Sequence, residues 1–120
     1  MAGNCVLTGS IAFDKPLEPE AGTIARVLVE DVTLADAASV AVAQVNLPLS
    51  AMAAASGSLP FTLTVPEVDA SRRYAVRVHI DRSGNGRIEA GDQISTQSYP
   101  VLTQGSPQAE LRVAVVPVRG

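Results

Sequence analysis

Between residues 81 and 92 the sequence reads DRSGNGRIEAGD, twelve residues opening and closing on aspartate. Asp81, Ser83, Asn85, the carbonyl of Arg87, Glu89 and Asp92 occupy positions 1, 3, 5, 7, 9 and 12 of that stretch, with Gly86 at the sixth. This is the spacing by which an EF-hand loop ligates calcium, the glycine permitting the sharp bend. Ile88 stands at position 8, where an apolar anchor is usual. The chemistry in view is therefore the coordination of a hard cation by oxygen.

The pattern departs from the EF-hand in three ways. Serine replaces a carboxylate at position 3, aspartate replaces the long bidentate glutamate at 12, and the flanks read as strands rather than helices. The final aspartate resembles the calcium loops of dockerin modules. Three carboxylates against Arg82 and Arg87 leave a loop charge of −1. Calcium affinity should then be weak, roughly 10⁻⁴ to 10⁻³ M, as in extracellular modules. Such a site suits an extracellular or periplasmic setting, and its role would be to stiffen the connection. A metal-free loop explains the same residues: glycine and asparagine supply positive φ, and aspartate caps its own backbone.

Other reactive chemistry is sparse. His79 is the single histidine. On a strand it shares a face with Arg77 and Asp81, and it reads as solvent-facing. A catalytic triad or a histidine-based metal site would need partners from elsewhere in the chain. No G-x-S-x-G elbow, phosphate loop or paired-cysteine motif occurs. The transthyretin-like hydroxyisourate hydrolases use more than one histidine and a C-terminal YRGS, whereas this chain ends PVRG. The expectation is a protein that is not an enzyme. Gln93, Ser95, Gln97 and Tyr99 fall on one side of a polar run, and with Arg77 and His79 they outline a polar face for a peptide or glycan. Tyr74, five residues after Asp69, reads as a corner tyrosine bonded to nearby backbone.

Seven runs with period-two alternation can position these groups. They are Cys5 to Phe13, Thr23 to Val32, Val40 to Leu47, Leu59 to Val65, Arg73 to Ile80, Gln93 to Tyr99 and Ala109 to Val116. One side of each apolar run carries Cys5, Leu7, Gly9, Ile11 and Phe13; Ala25, Val27 and Val29; Phe61, Leu63 and Val65; Tyr74, Val76, Val78 and Ile80; and Leu111, Val113 and Val115. Proline and glycine punctuate them at DKPLEPEAG, NLPLS, TVPEVDAS, SYPV and TQGSPQ. The spacing predicts an all-β fold, a seven-stranded antiparallel β-sandwich of the immunoglobulin or transthyretin type, in one domain over residues 1–120. The alanine-rich stretch 49–58 reads as an irregular crossover. Leu28, Val32, Val40, Val42 and Val116 fall on outward sides. That predicts either bulges that change the register, or cover from the crossover, a protein partner or a second copy.

Composition narrows the class further. The 120 residues are 47 % hydrophobic but only 3 % aromatic, so the core must be Val, Leu, Ile and Ala. A net charge of −3 without clustered Lys and Arg argues against nucleic acid. No apolar run reaches membrane-spanning length, and the opening MAGNCVLTG has neither a charged region nor an apolar one of the secretory kind. A single cysteine makes no internal disulfide. Asn4 before Cys5 does not fit a lipid-attachment signal, so Cys5 reads as a small residue facing the core.

The phrases LVEDVTLADAASVAVAQVNL, VDASRRYAVRVHI and QSYPVLTQG, in that order, resemble the YbaY/YscW-type lipoprotein family, which includes type III secretion pilotins. The resemblance runs from about Val6 to Val118, and its most specific pieces are RYAVR at 73–77 and YPVLT at 99–103. It implies a small β-sandwich in the bacterial cell envelope, without enzymatic chemistry, that acts through a protein partner. Pilotin members bind secretin subunits.

Overall fold

The computed structural model describes residues 3–13, 22–33, 40–49, 57–69, 71–97, 99–102 and 111–118. They form β1 (Gly3–Phe13), β2 (Ile24–Asp31), β3 (Val40–Pro48), β4 (Ser58–Val68), β5 (Tyr74–Asp81), β6 (Gln93–Ile94), β7 (Tyr99–Val101) and β8 (Leu111–Pro117). The fold is all-β, as the alternation requires. The crossover expected at 49–58 and the turn LADAAS lie largely outside the described residues.

Two details of the expected sandwich are corrected. Among the described residues there are eight strands rather than seven, in one mixed sheet of order β3-β2-β5-β6-β8-β1-β4, with β7 paired to β5 off that path. The pairing is not all antiparallel, because β1 and β8 run parallel from Gly9 opposite Leu111 to Phe13 opposite Val115. The end strands β3 and β4 lie beside each other, so the sheet curls into a nearly closed, barrel-like form.

The extra strand comes from the run expected over 93–99, which divides. Residues 93–94 pair with Ile80 and His79, whereas 99–101 pair with Val76, Ala75 and Tyr74. Between them Ser95 replaces a ladder rung with its own side chain: its Oγ accepts the Val78 amide at 2.9 Å, while its amide donates to the Val78 carbonyl at 3.0 Å.

The inward residues are those that alternation assigned. Leu7 and Ile11 of β1, Val27 and Val29 of β2, Phe61, Leu63 and Val65 of β4, Val76, Val78 and Ile80 of β5, and Val113 and Val115 of β8 make one buried cluster. Each fully buried aliphatic side chain contributes about 1.5–3 kcal/mol relative to exposure. Of the outward apolar residues, Val42 packs against this core. A register shift in the β2–β3 ladder between Val29 and Glu30 puts it there. Val32 and Val40 remain exposed. Cys5, half-buried, also packs against the core.

Glycine is required at position 9. A Cβ there would collide with the Leu111 carbonyl oxygen and lie 2.9 Å from the Phe61 ring. The bare Cα lets β8 approach β1 closely enough to pair.

Candidate functional site

Strand β5 ends at Asp81 and the chain then loops out to Asp92 before returning as β6. Asp81 organises the first half of that loop. It is fully buried, and its Oδ1 accepts the Gly84 amide at 3.0 Å while Oδ2 accepts the Gly86 amide at 2.7 Å. Oδ2 also takes Arg26 of β2, from Nε at 3.2 Å and Nη2 at 3.0 Å. Burial by itself pushes this carboxyl up. The Gly86 amide, the Arg26 guanidinium, nearby His79 and the Gly84 amide more than offset that and hold it below its ordinary 3.8. The backbone can deliver both amides because Gly84 and Gly86 have positive φ, at 74° and 81°. Gly84 also sits on the chain entering β2, where a Cβ would lie 2.6 Å from the Gly22 carbonyl oxygen.

Asp92 organises the second half. It is also buried. Its Oδ1 accepts the Arg82 amide at 2.9 Å, and its Oδ2 accepts the Glu89 amide at 3.2 Å and lies 2.7 Å from His79 Nε2. Its carbonyl accepts the Val118 amide at 2.9 Å, tying the loop to the end of β8. The expectation of a solvent-facing His79 is therefore corrected. The residue does point to the outer face of the sheet, but the loop folds back over it and leaves it 8 % exposed.

The six candidate ligands fall into two groups. Asp81 and Asp92 converge beneath the loop, where one oxygen of each and a ring nitrogen of His79 lie within 4.8 Å of one another. Ser83 Oγ and Asn85 Nδ2 instead donate to Glu89 Oε1, at 2.7 and 3.0 Å, in an exposed second cluster. Arg87 is exposed, and its amide donates to Asn85 Oδ1 at 2.9 Å. Each buried carboxylate thus accepts two amides from the loop's own backbone, the arrangement that capping chemistry predicts.

Folding the loop back creates a groove of about 400 Å³ on the outer face of β2, β3 and β5. Leu28 and Ile88 supply its apolar surface, and Arg26, Glu30, Gln44 and Arg77 its polar surround. His79 and Gly86 line the end nearest the loop. Glu30 faces Arg77 at 3.8 Å, and beyond that pair a second depression of about 280 Å³ is bordered by Ser95 and Gln97. The polar face expected of Gln93, Ser95, Gln97 and Tyr99 with Arg77 and His79 is thus assembled only in part. Gln93 is buried, and the Tyr99 hydroxyl accepts the Ala114 amide at 2.9 Å.

Arg26, Glu30 and Gln44 are site residues that sequence reasoning did not find, and Leu28 it marks only as an outward apolar residue. They lie far along the chain from the loop and come to it only through sheet pairing, with Arg26 opposite His79 and Leu28 opposite both Arg77 and Gln44. The one available signal was the alternation of β2, which turns both Arg26 and Leu28 outward.

Comparison with known proteins gives one family and one fold. The family described as YscW, type III secretion system lipoprotein chaperone, matches residues 4–113. No curated protein matches the chain. Among solved structures, an alternative pilotin from the type II secretion system of Vibrio cholerae superposes with a TM-score of 0.72. The match covers 98 % of this chain and 99 % of that one at 23 % identity, and it shows a shared fold.

Proposed function

The chain belongs to the YscW family of type III secretion system lipoprotein chaperones, and from that premise we propose that it is a non-enzymatic protein-binding domain of the bacterial cell envelope. Its partner is a secretin subunit of a secretion apparatus, the kind of protein that pilotins bind. The observation that carries this reading is the family match over residues 4–113.

The groove beside the 81–92 loop is the contact surface. Half-buried Leu28 and exposed Ile88 form an apolar centre, and Arg26, Arg77, Glu30 and Gln44 form a polar rim. Productive interfaces are built this way, with desolvated apolar anchors at the centre and solvated polar groups around them.

The test is co-purification and titration calorimetry with the secretin of the same bacterium. Wild-type protein should form a stoichiometric complex. Ile88→Asp and Arg77→Glu should weaken it at least tenfold while leaving the melting temperature within a few degrees. Absence of a complex would overturn the partner. A complex indifferent to both substitutions would move the contact to the seam between β3 and β4, which lie beside each other with no ladder joining them among the described residues, so that an added strand can pair there.

A further inference from the structure

We propose that His79, Asp81 and Asp92 form a site for a divalent transition-metal ion, with Zn²⁺ the best fit, that locks the 81–92 loop onto the sheet. The loop's spacing pointed to calcium held by six ligands along one stretch of backbone. The fold gathers a different set: two carboxylates from the ends of the loop and an imidazole from β5, all three buried.

Donor chemistry selects the ion. Calcium takes six to eight oxygens, whereas one imidazole nitrogen with two carboxylates suits a borderline ion that accepts three protein ligands and an open position. In a tetrahedral zinc site two ligands, each about 2.0–2.2 Å from the ion, lie about 3.3–3.6 Å apart. The three donor atoms lie within 4.8 Å of one another, so the widest pair must draw in by about an ångström. His79 Nε2 and Asp92 Oδ2, now 2.7 Å apart, must separate by about 0.7 Å to admit the ion.

The surroundings already resemble the outer shell of a metal centre. Ligating carboxylates are usually oriented by further hydrogen bonds. Here the Gly84 and Gly86 amides hold Asp81, and the Arg82 and Glu89 amides hold Asp92. His79 and Gly86 border the groove, which gives an ion a route in and leaves its fourth position to water. Arg26 is the opposing element, because its guanidinium occupies Asp81 Oδ2 at 3.0 Å and its charge competes with a cation. It is one-fifth exposed and borders the groove, so it can turn outward when the ion enters.

This site stands independently of the secretin reading, since metal binding is measured on the isolated protein. The experiment uses tag-free protein carrying Cys5→Ser, which removes the thiol as a competing ligand. ZnCl₂ is followed by calorimetry and melting, CoCl₂ by its visible d–d absorption, and CaCl₂ runs in parallel. One equivalent of Zn²⁺ should bind and raise the melting temperature by roughly 5–10 °C at a hundredfold excess over Kd, reversed by EDTA. His79→Ala should weaken binding at least a hundredfold. Arg26→Gln should tighten it several-fold, an effect that a purely structural ion pair would not produce, and this variant carries the test if His79→Ala does not fold. Absence of Zn²⁺ binding would overturn the proposal. So would binding that His79→Ala leaves intact, or a melting shift with Ca²⁺ alone.

Discussion

The amide of Asp69 donates to the Tyr74 hydroxyl at 3.1 Å, closing the turn that carries the chain from β4 into β5. Tyr74 is buried, so its ring fills the core while its oxygen satisfies a loop amide. Tyr74→Phe keeps the ring and removes the acceptor. The expected cost is about 0.5–1.5 kcal/mol. Urea denaturation measures it, and hydrogen exchange should show the Asp69 amide losing protection first.

Asp92 and Glu89 have equal formal charge within one loop but different work. Asp92 accepts two backbone amides and faces His79 in the interior, whereas Glu89 holds Ser83 and Asn85 at the surface. Asp92→Ala should destabilise the protein by about 2–4 kcal/mol, since it strands buried donors. Glu89→Ala should change stability by less than about 0.5 kcal/mol. Paired urea titrations in EDTA compare the two directly, and equal losses would mean that the buried network is not what holds the loop.

Gly9→Ala tests the seam between β1 and β8. The added methyl meets backbone, which cannot rotate away, so the strands must move apart. A loss of about 1–3 kcal/mol is expected from such overpacking. The nearby Ser10→Ala, on the same strand with no comparable contact, serves as control.

Acid should unfold the protein through its low-lying carboxyls. Asp81 is held below 3.8 by the balance described above. Asp31 is lowered by the Thr33 hydroxyl and amide and by Arg72, and Asp69 by the Ser71 hydroxyl and amide. A depressed folded-state value means stability that is complete above the ordinary carboxylate range and is lost as pH falls through the folded values. Melting temperature should therefore hold steady down to about pH 5 and drop below pH 4. Asp69→Asn should flatten that acid limb at neutral-pH stability only slightly below wild type.

Much of the fold was legible because it depends on local rules. Alternation placed Leu7, Val27, Val29, Phe61, Val76 and Val113 inside, and the five-residue interval before Tyr74 announced its corner bond. What escaped depends on long-range geometry. Nothing near Gly9 signals that Leu111 will run beside it in parallel, and the 93–99 run gives no warning that the Ser95 side chain will take a rung from the ladder. The site divides in the same way. The acids and glycines of the loop stand out through their spacing. The burial of His79 follows from a loop folding back on its own strand, and the place of Arg26 follows from a neighbour 55 positions away. Periodicity assigns a residue to a face, but it cannot say what will cover that face.

The parallel pairing of β1 with β8 bears on how the molecule assembles. β2 with β3 and β5 with β6 are consecutive in the chain, but this seam joins strands from opposite ends of the described chain, and β8 also supplies the partner of β6. A growing polypeptide therefore carries raw edges on both β1 and β6 until Leu111–Pro117 arrives. Pairings of such high contact order are slow to form, typically over milliseconds to seconds. Closure therefore waits for β8, and a chain truncated before Leu111 keeps those edges open to proteases, chaperones or its own copies.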